Sequence, residues 1–382
     1  MGKDSDYYKN KSRMQKLKLR ELIEELPTCA ADYIYSKELV TQPSTLISYS
    51  YDLLTFFRFL IEKNPTLHNK AIKEIDLKVL SQIDSQDIVE FQRYLELNVD
   101  PNGEFHENGK RAIARKMSPL RGMFKYHLMH KNISEDPTAL VELPKLKRDK
   151  NIIRMTNDEV VSLLNAIETG TAQMSDHQRK YCQKTQKRDL AILTLMLGTG
   201  IRVSECCGLD LNDLDLHSNS MIIVRKGGGQ DVLYFDNHIN QVLSDYIDNE
   251  RSLIKPYEEH EKALFYSIQG KRISVDSVEN LVKKYAKIMV PNKKITPHKL
   301  RSTYGTALYR ETGDIRLVAD VLGHKDVNTT KKHYAAIDED RRRQARNIVS
   351  LHSESSSNYT SDSNYNSNSD SSSDSNSDSN SD

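Results

Sequence analysis

Apolar residues recur at three- and four-residue intervals through most of this chain, and that period restricts it to a predominantly helical fold. Behind Pro43-Ser44-Thr45, residues Leu46, Tyr49, Leu53, Phe56, Phe57 and Leu60 share one side of a helix with start signals at its head. The same spacing runs from Leu19 to Leu39, interrupted near Pro27, from Ser85 to Leu97 behind Asp84, and from Lys110 to Leu128. Asp100-Pro101-Asn102-Gly103 reads as a turn between two of these helices. Further on, Thr156-Asn157-Asp158-Glu159 carries capping residues for another helix. Arg188 to Leu197 is a largely apolar helix ending at Gly198-Thr199-Gly200, and Asn237 to Ser252 and Ser274 to Met289 are two more. One region departs from the helical period. Met221 to Arg225 and Asp231 to Phe235 are β-prone runs on either side of Lys226-Gly227-Gly228-Gly229-Gln230, a glycine-rich hairpin turn. The expected fold class is mainly α with a small antiparallel β-sheet.

A length of 382 residues suits two domains, each with its own core. The segment 135–150 contains two prolines followed by Lys145, Lys147, Arg148 and Lys150, and reads as the linker between them. The expected division is a basic flexible N-terminus at 1–17, whose basic run reads equally as a solvated helix entry, a helical domain at 18–134, the linker, a second domain at 151–350 and a disordered tail at 351–382. That tail is almost entirely Ser, Asp and Asn and cannot bury apolar surface. It also hides the charge of the rest. Residues 1–352 carry 55 basic against 48 acidic side chains, a surplus of seven that permits nucleic-acid binding. No apolar run reaches the eighteen or so residues of a membrane helix, and the polar N-terminus has no signal segment, so a cytoplasmic protein is expected. Four cysteines, Cys29, Cys182, Cys206 and Cys207, lack the pairing of a zinc site and the density of a disulfide framework. They read as reduced thiols, with no metal and no cofactor expected.

The chemistry concentrates near the end. Thr296-Pro297-His298-Lys299-Leu300-Arg301 is followed by Leu322-Gly323-His324 and by His333-Tyr334, and Arg202 stands upstream in Gly200-Ile201-Arg202-Val203-Ser204-Glu205. His298 and Arg301 are three apart on a helix that Pro297 is placed to open, so they share a face. Two arginine forks, Arg202 and Arg301, can neutralise a phosphodiester and the charge it gains during attack. A tyrosine hydroxyl at Tyr334 needs cationic neighbours or a base to act as a nucleophile at neutral pH, and His298 is the candidate base. Glu205, three residues beyond Arg202, is placed to pair with a cation of the site.

In that order these motifs resemble the tyrosine recombinases, the phage-integrase and Xer type of DNA strand-exchange enzyme, over roughly residues 20–350. The resemblance implies a two-domain DNA clamp, with a helical core-binding domain joined to a tyrosine-recombinase catalytic domain. It adds Lys226, in the hairpin turn, as the proton donor to the departing 5′ oxygen, and His324 as a donor to a non-bridging oxygen. The interval from His324 to Tyr334 is about one residue longer than in the Xer pattern. Thr45, Ser48 and Ser50 near one helix start, Lys110, Arg111, Arg115 and Lys116 along another, and Lys145, Lys147 and Arg148 in the linker are the candidate DNA contacts.

The implied function is site-specific recombination through a 3′-phosphotyrosine, integrating or excising a mobile element, with Xer-like resolution of chromosome or plasmid dimers as the alternative. Relaxation of the type IB topoisomerase kind ranks lower because the separate helical N-terminal block and the charged helix expected after Tyr334 favour recombination, and a catalytically silent DNA-binding protein ranks lower because all six catalytic positions are filled. The partners it implies are duplex DNA with specific sites and, on that DNA, three further copies of a chain that is monomeric in solution. An accessory DNA-bending or directionality protein is a further candidate, and no membrane is involved.

Overall fold

The longest apolar stripe folds as α3 (Pro43–Lys63), and the first half of the molecule is built around it. Pro43 stands in its first turn, where a missing N–H costs no helical hydrogen bond. Phe56 meets Phe91 edge to face with ring centroids 5.0 Å apart and Phe124 at 6.3 Å. Those contacts seat α3 on α5 (Ser85–Glu96) and α6 (Lys110–Met129). Asp84 caps α5 by accepting from the N–H groups of Gln86 and Asp87. The helices α1 (Asp6–Glu25), α2 (Thr28–Lys37) and α4 (Leu77–Gln82) complete a core that includes Leu22, Ile34, Leu53 and Met123. The computed structural model describes residues 6–99, 103–145, 153–169, 182–225, 227–324 and 327.

Four sequence expectations need correction here. The segment expected as a flexible N-terminus is helical from Asp6, and its first turn lies on the second half of the molecule. There Asp6 pairs with Lys262 at 3.0 Å, the Tyr7 ring lies 4.5 Å from the Arg272 guanidinium, and the Tyr8 hydroxyl sits where a side chain at Gly208 would have to be. A second correction concerns residues near 100. The chain does not pass from α5 to α6 by a simple turn; Leu97–Val99 (β1) and Phe105–Glu107 (β2) pair antiparallel with Asn98 opposite His106. The third concerns the linker, whose first part belongs to the helical half. Val141 is buried in that core, and its carbonyl accepts from Arg121 while the Glu142 carbonyl accepts from Gln92. Finally, Ser50 is fully buried and donates to the Leu46 carbonyl, so it offers nothing to a ligand.

The second core gathers α7 (Asn157–Thr169), α8 (Gln186–Thr199), α9 (Val203–Cys207), α10 (Asn237–Asn249), α11 (Val275–Met289) and α12 (Pro297–Thr312). The apolar α8 runs through its middle, with Ala191, Ile192, Leu193, Leu195 and Met196 all inaccessible to solvent. One antiparallel sheet packs on this core in the order β3 (Leu214–Asp215), β4 (Ser220–Val224), β5 (Gln230–Tyr234). In β4 and β5, Met221 faces Leu233 and both are buried, while the next pair, Ile222 and Val232, is turned outward. A short helix, α13 (Ile315–Val321), is capped by Asp314. All four cysteines are buried thiols. Among the described residues, no helix is long and apolar enough to cross a membrane.

Candidate active site

Gly200 sets the position of Arg202. It ends α8 with φ of +63°, a left-handed conformation natural to glycine. A β-carbon there would fall 2.5 Å from Cδ1 of Tyr304 and 2.9 Å from a methyl of Leu322. The chain therefore turns sharply against α12, and two residues later Arg202 becomes the residue preceding α9. Glu205 closes that turn. Its Oε2 accepts from the Arg202 backbone N–H at 3.0 Å, and its Oε1 accepts from the Arg202 guanidinium at 2.7 Å. The carboxylate is buried, so the arginine is held by a charge with little competition from water.

Arg301 enters from α12. Pro297 occupies the first turn of that helix, as its sequence position predicts, and Arg301 one turn later is buried. Its guanidinium donates to the Gly200 carbonyl at 2.5 Å and to the Leu322 carbonyl. His298 lies a turn earlier on the same helix and is exposed, so Arg301 is turned inward and His298 toward solvent.

The C-terminal end of α13 is where these groups converge. A helix leaves its last carbonyls without intrahelical partners and carries partial negative charge there. Here three successive carbonyls each accept from a different arginine. Val321 takes Arg225 at 2.8 Å, Leu322 takes Arg301, and Gly323 takes Arg202 at 2.9 Å. Gly323 has φ of +58°, and the following His324, a half-buried residue, donates its backbone N–H to the Ala319 carbonyl at 2.8 Å, which closes the turn.

Arg225 is the member that the sequence patterns do not single out. It directly follows β4, and its side chain donates to Asp231 at 2.8 and 3.0 Å and to Glu205 at 3.4 Å, besides Val321. The only sequence signal is an arginine and an aspartate on either side of a glycine-rich turn. The fold thus brings Arg202, Glu205, Arg301 and His324 together around one turn, with His298 on the helix that supplies Arg301. Lys226 and Tyr334 lie outside the described residues, as do Lys147 and Arg148.

The candidate DNA contacts divide. Ser48, Lys110, Arg111 and Lys145 are exposed and Thr45 is half-buried. Arg115 instead holds the buried Asp52 with two hydrogen bonds of 2.8 and 3.1 Å, and Lys116 reaches the same carboxylate at 3.4 Å.

Comparison with known proteins gives a consistent result. Residues 153–341 match the family model described as Phage integrase family. The tyrosine recombinase XerC of Caldanaerobacter subterraneus subsp. tengcongensis is 32% identical over 357 residues, with 91% of each chain covered. The tyrosine recombinase XerS of Streptococcus agalactiae is 30% identical over 334 residues, covering 82% of this chain and 93% of its own. Among solved structures, the XerH site-specific recombinase bound to its difH substrate shares the fold at a TM-score of 0.57, with 22% identity and 80% of each chain covered. The Tn1549 transposon integrase in complex with circular intermediate DNA does so at 0.59, with 21% identity over 84% of this chain and 99% of its own.

Proposed function

The chain belongs to the phage integrase family of tyrosine recombinases, and from that premise we propose that the turn at Val321–His324 is the floor of its DNA-cleaving site. The observation that carries this is the convergence of Arg202 and Arg301, from well-separated segments, on adjacent carbonyls next to His324. Two guanidinium groups held that way present fixed positive charge where a phosphodiester would gain negative charge during attack. Tyr334 is the nucleophile. Its oxygen attacks the scissile phosphorus and becomes a 3′-phosphotyrosine, while the 5′ oxygen departs with a proton from Lys226. His298 takes the phenol proton, and His324 donates to a non-bridging oxygen. A 5′ hydroxyl from a partner duplex then reverses the step and joins the exchanged strand. Glu205 keeps the Arg202 fork aimed.

The substrate is duplex DNA carrying specific sites, in keeping with the DNA-bound state of XerH and the Tn1549 integrase. Exposed Lys110, Arg111 and Lys145, with Ser48 and Thr45, meet the phosphate backbone, where such contacts set register without reading sequence. Lys147 and Arg148 are assigned the same role. Arg115 and Lys116 do so through the faces left open by their pairing with Asp52. Active copies assemble as a tetramer on two sites from a monomer in solution, with an accessory bending or directionality protein as a further partner. The role is integration or excision of a mobile element. Resolution of chromosome or plasmid dimers is the second reading, favoured by the identity to XerC and XerS.

Covalent trapping tests the chemistry. Purified protein is mixed with nicked genomic fragments that lose their 5′-hydroxyl strand once cleaved. Wild type should become linked to DNA through a 3′ phosphate and Tyr334→Phe should not. Sequencing the trapped fragments gives the cleavage site and separates an element end from a chromosomal resolution site. Binding of DNA by both proteins with linkage of neither would refute the assignment.

A further inference from the structure

Arg225 carries a positive charge within the site and yet is poorly placed to bind substrate. Its side chain is only 12% exposed, and four hydrogen bonds occupy all three guanidinium nitrogens. These bonds use four of its five N–H donors, so gripping a phosphate with a two-pronged fork would mean releasing Asp231, Glu205 or the Val321 carbonyl. What those bonds do is join separate pieces of chain: the residue following β4, the start of β5, the first turn of α9 and the end of α13.

Its main chain is equally engaged. The Arg225 N–H donates to the Gly229 carbonyl at 2.8 Å, and the Arg225 carbonyl accepts from Gly228 at 2.9 Å. Both groups lie within the hairpin turn, whose glycines Gly227 and Gly228 take φ of +109° and +90°. The Arg225 side chain lies close against Gly323, where a β-carbon would come within 2.8 Å of Nε and 2.9 Å of Cζ. Any residue but glycine at 323 would push Arg225 away.

We propose that Arg225 is a positioning residue, which ties the base of the β4–β5 turn to the Val321–Gly323 main chain and so fixes where the next residue, Lys226, meets the scissile phosphate. This rests on the reading of Lys226 as proton donor. Arg225 sets the geometry of proton delivery to the leaving 5′ oxygen, while Arg202 and Arg301 handle the charge on phosphorus.

The test uses a duplex with the cleavage sequence recovered by trapping, made in two forms. One has an ordinary scissile phosphate, and in the other sulfur replaces the bridging 5′ oxygen. In the first, the P–O bond breaks and the oxygen takes a proton. In the second, the P–S bond breaks and sulfur leaves with the electron pair as a thiolate, needing no proton. Arg225→Met should slow single-turnover cleavage of the oxygen duplex by about 100-fold, the scale of a misplaced catalytic group. It should cleave the sulfur duplex within about threefold of wild type, because a step that needs no acid is indifferent to where the acid sits. Asp231→Asn, which keeps Arg225 on Glu205 and Val321, should show the same rescue from a smaller loss. Arg202→Ala should be slow on both duplexes. If Arg225→Met melts below the assay temperature, Asp231→Asn decides. Slow cleavage of both duplexes by the folded variants, or no loss on the oxygen duplex, would overturn the proposal. Failure of wild type itself on the oxygen duplex would instead remove the reading of the site beneath it.

Discussion

Replacing Glu205 by glutamine changes one atom, and the structure says what that atom is worth. Oε1 accepts from the Arg202 guanidinium at 2.7 Å; Oε2 accepts from the Arg202 backbone N–H at 3.0 Å and from Arg225 at 3.4 Å. Every neighbour is a donor, so an amide NH2 must face another donor whichever way it is flipped. At least one charge-assisted hydrogen bond is lost, which costs about 1.5–3 kcal/mol. Removal of one member of a fully buried pair costs about 3–5 kcal/mol. Here the remaining charges are better off, because Arg202 is 28% exposed and Arg225 keeps Asp231. Glu205→Gln should therefore lower the free energy of unfolding by about 2 kcal/mol, near the middle of the hydrogen-bond range. Urea titration followed by circular dichroism measures this, with the slope held common to both proteins. Cleavage of the trapped-site duplex should fall by more than tenfold with little change in DNA affinity, since the fork that loses its aim acts on developing charge. A stability within about 0.5 kcal/mol of wild type, the ordinary scatter of surface substitutions, would refute the reasoning.

Two further changes test the frame. Gly200→Ala must adopt φ of +63° and places a methyl 2.5 Å from Tyr304, so it should destabilise by about 2–4 kcal/mol in the same titration. Glu250→Gln should do the reverse at neutral pH. Glu250 Oε2 accepts from the N–H groups of Lys187 and Arg188 at 2.9 and 3.2 Å, while buried Oε1 has no partner among the described residues, and burial holds its carboxyl above the ordinary carboxylate range. A raised folded value makes wild type lose stability as pH rises through it. The glutamine variant should thus melt higher than wild type at pH 7, and the difference should vanish below the ordinary carboxylate range.

Local periodicity revealed what local periodicity controls. The stripe from Leu46 to Leu60, the apolar run from Arg188 to Leu197 and the alternation around the glycine turn each appear as α3, α8 and the β4–β5 hairpin. Pro297 marked the start of α12 because its chemistry permits little else. The pairing of Glu205 with Arg202 was legible because both sit within one helical turn. β1 and β2 were not, since strands of three residues with both faces exposed show no alternation to detect. Nor was the docking of α1, which depends on Gly208, Lys262 and Arg272 far along the chain. Arg225 escaped for much the same reason, because two of its three side-chain partners, Glu205 and Val321, lie far from it in the sequence.

The acceptors at Val321, Leu322 and Gly323 are main-chain atoms, and this changes how the site answers to mutation. An alanine scan of Val321 and Leu322 removes side chains and leaves every carbonyl in place, so it would report packing and miss the electrostatic seat altogether. Only a change in the path of the backbone can withdraw it, as a β-carbon at Gly323 would. An amide-to-ester replacement at Leu322 or Gly323 would weaken the carbonyl of the preceding residue without altering any side chain. Three arginines anchored this way tolerate wide drift in the residues that hold them, while the shape of four residues of backbone stays fixed.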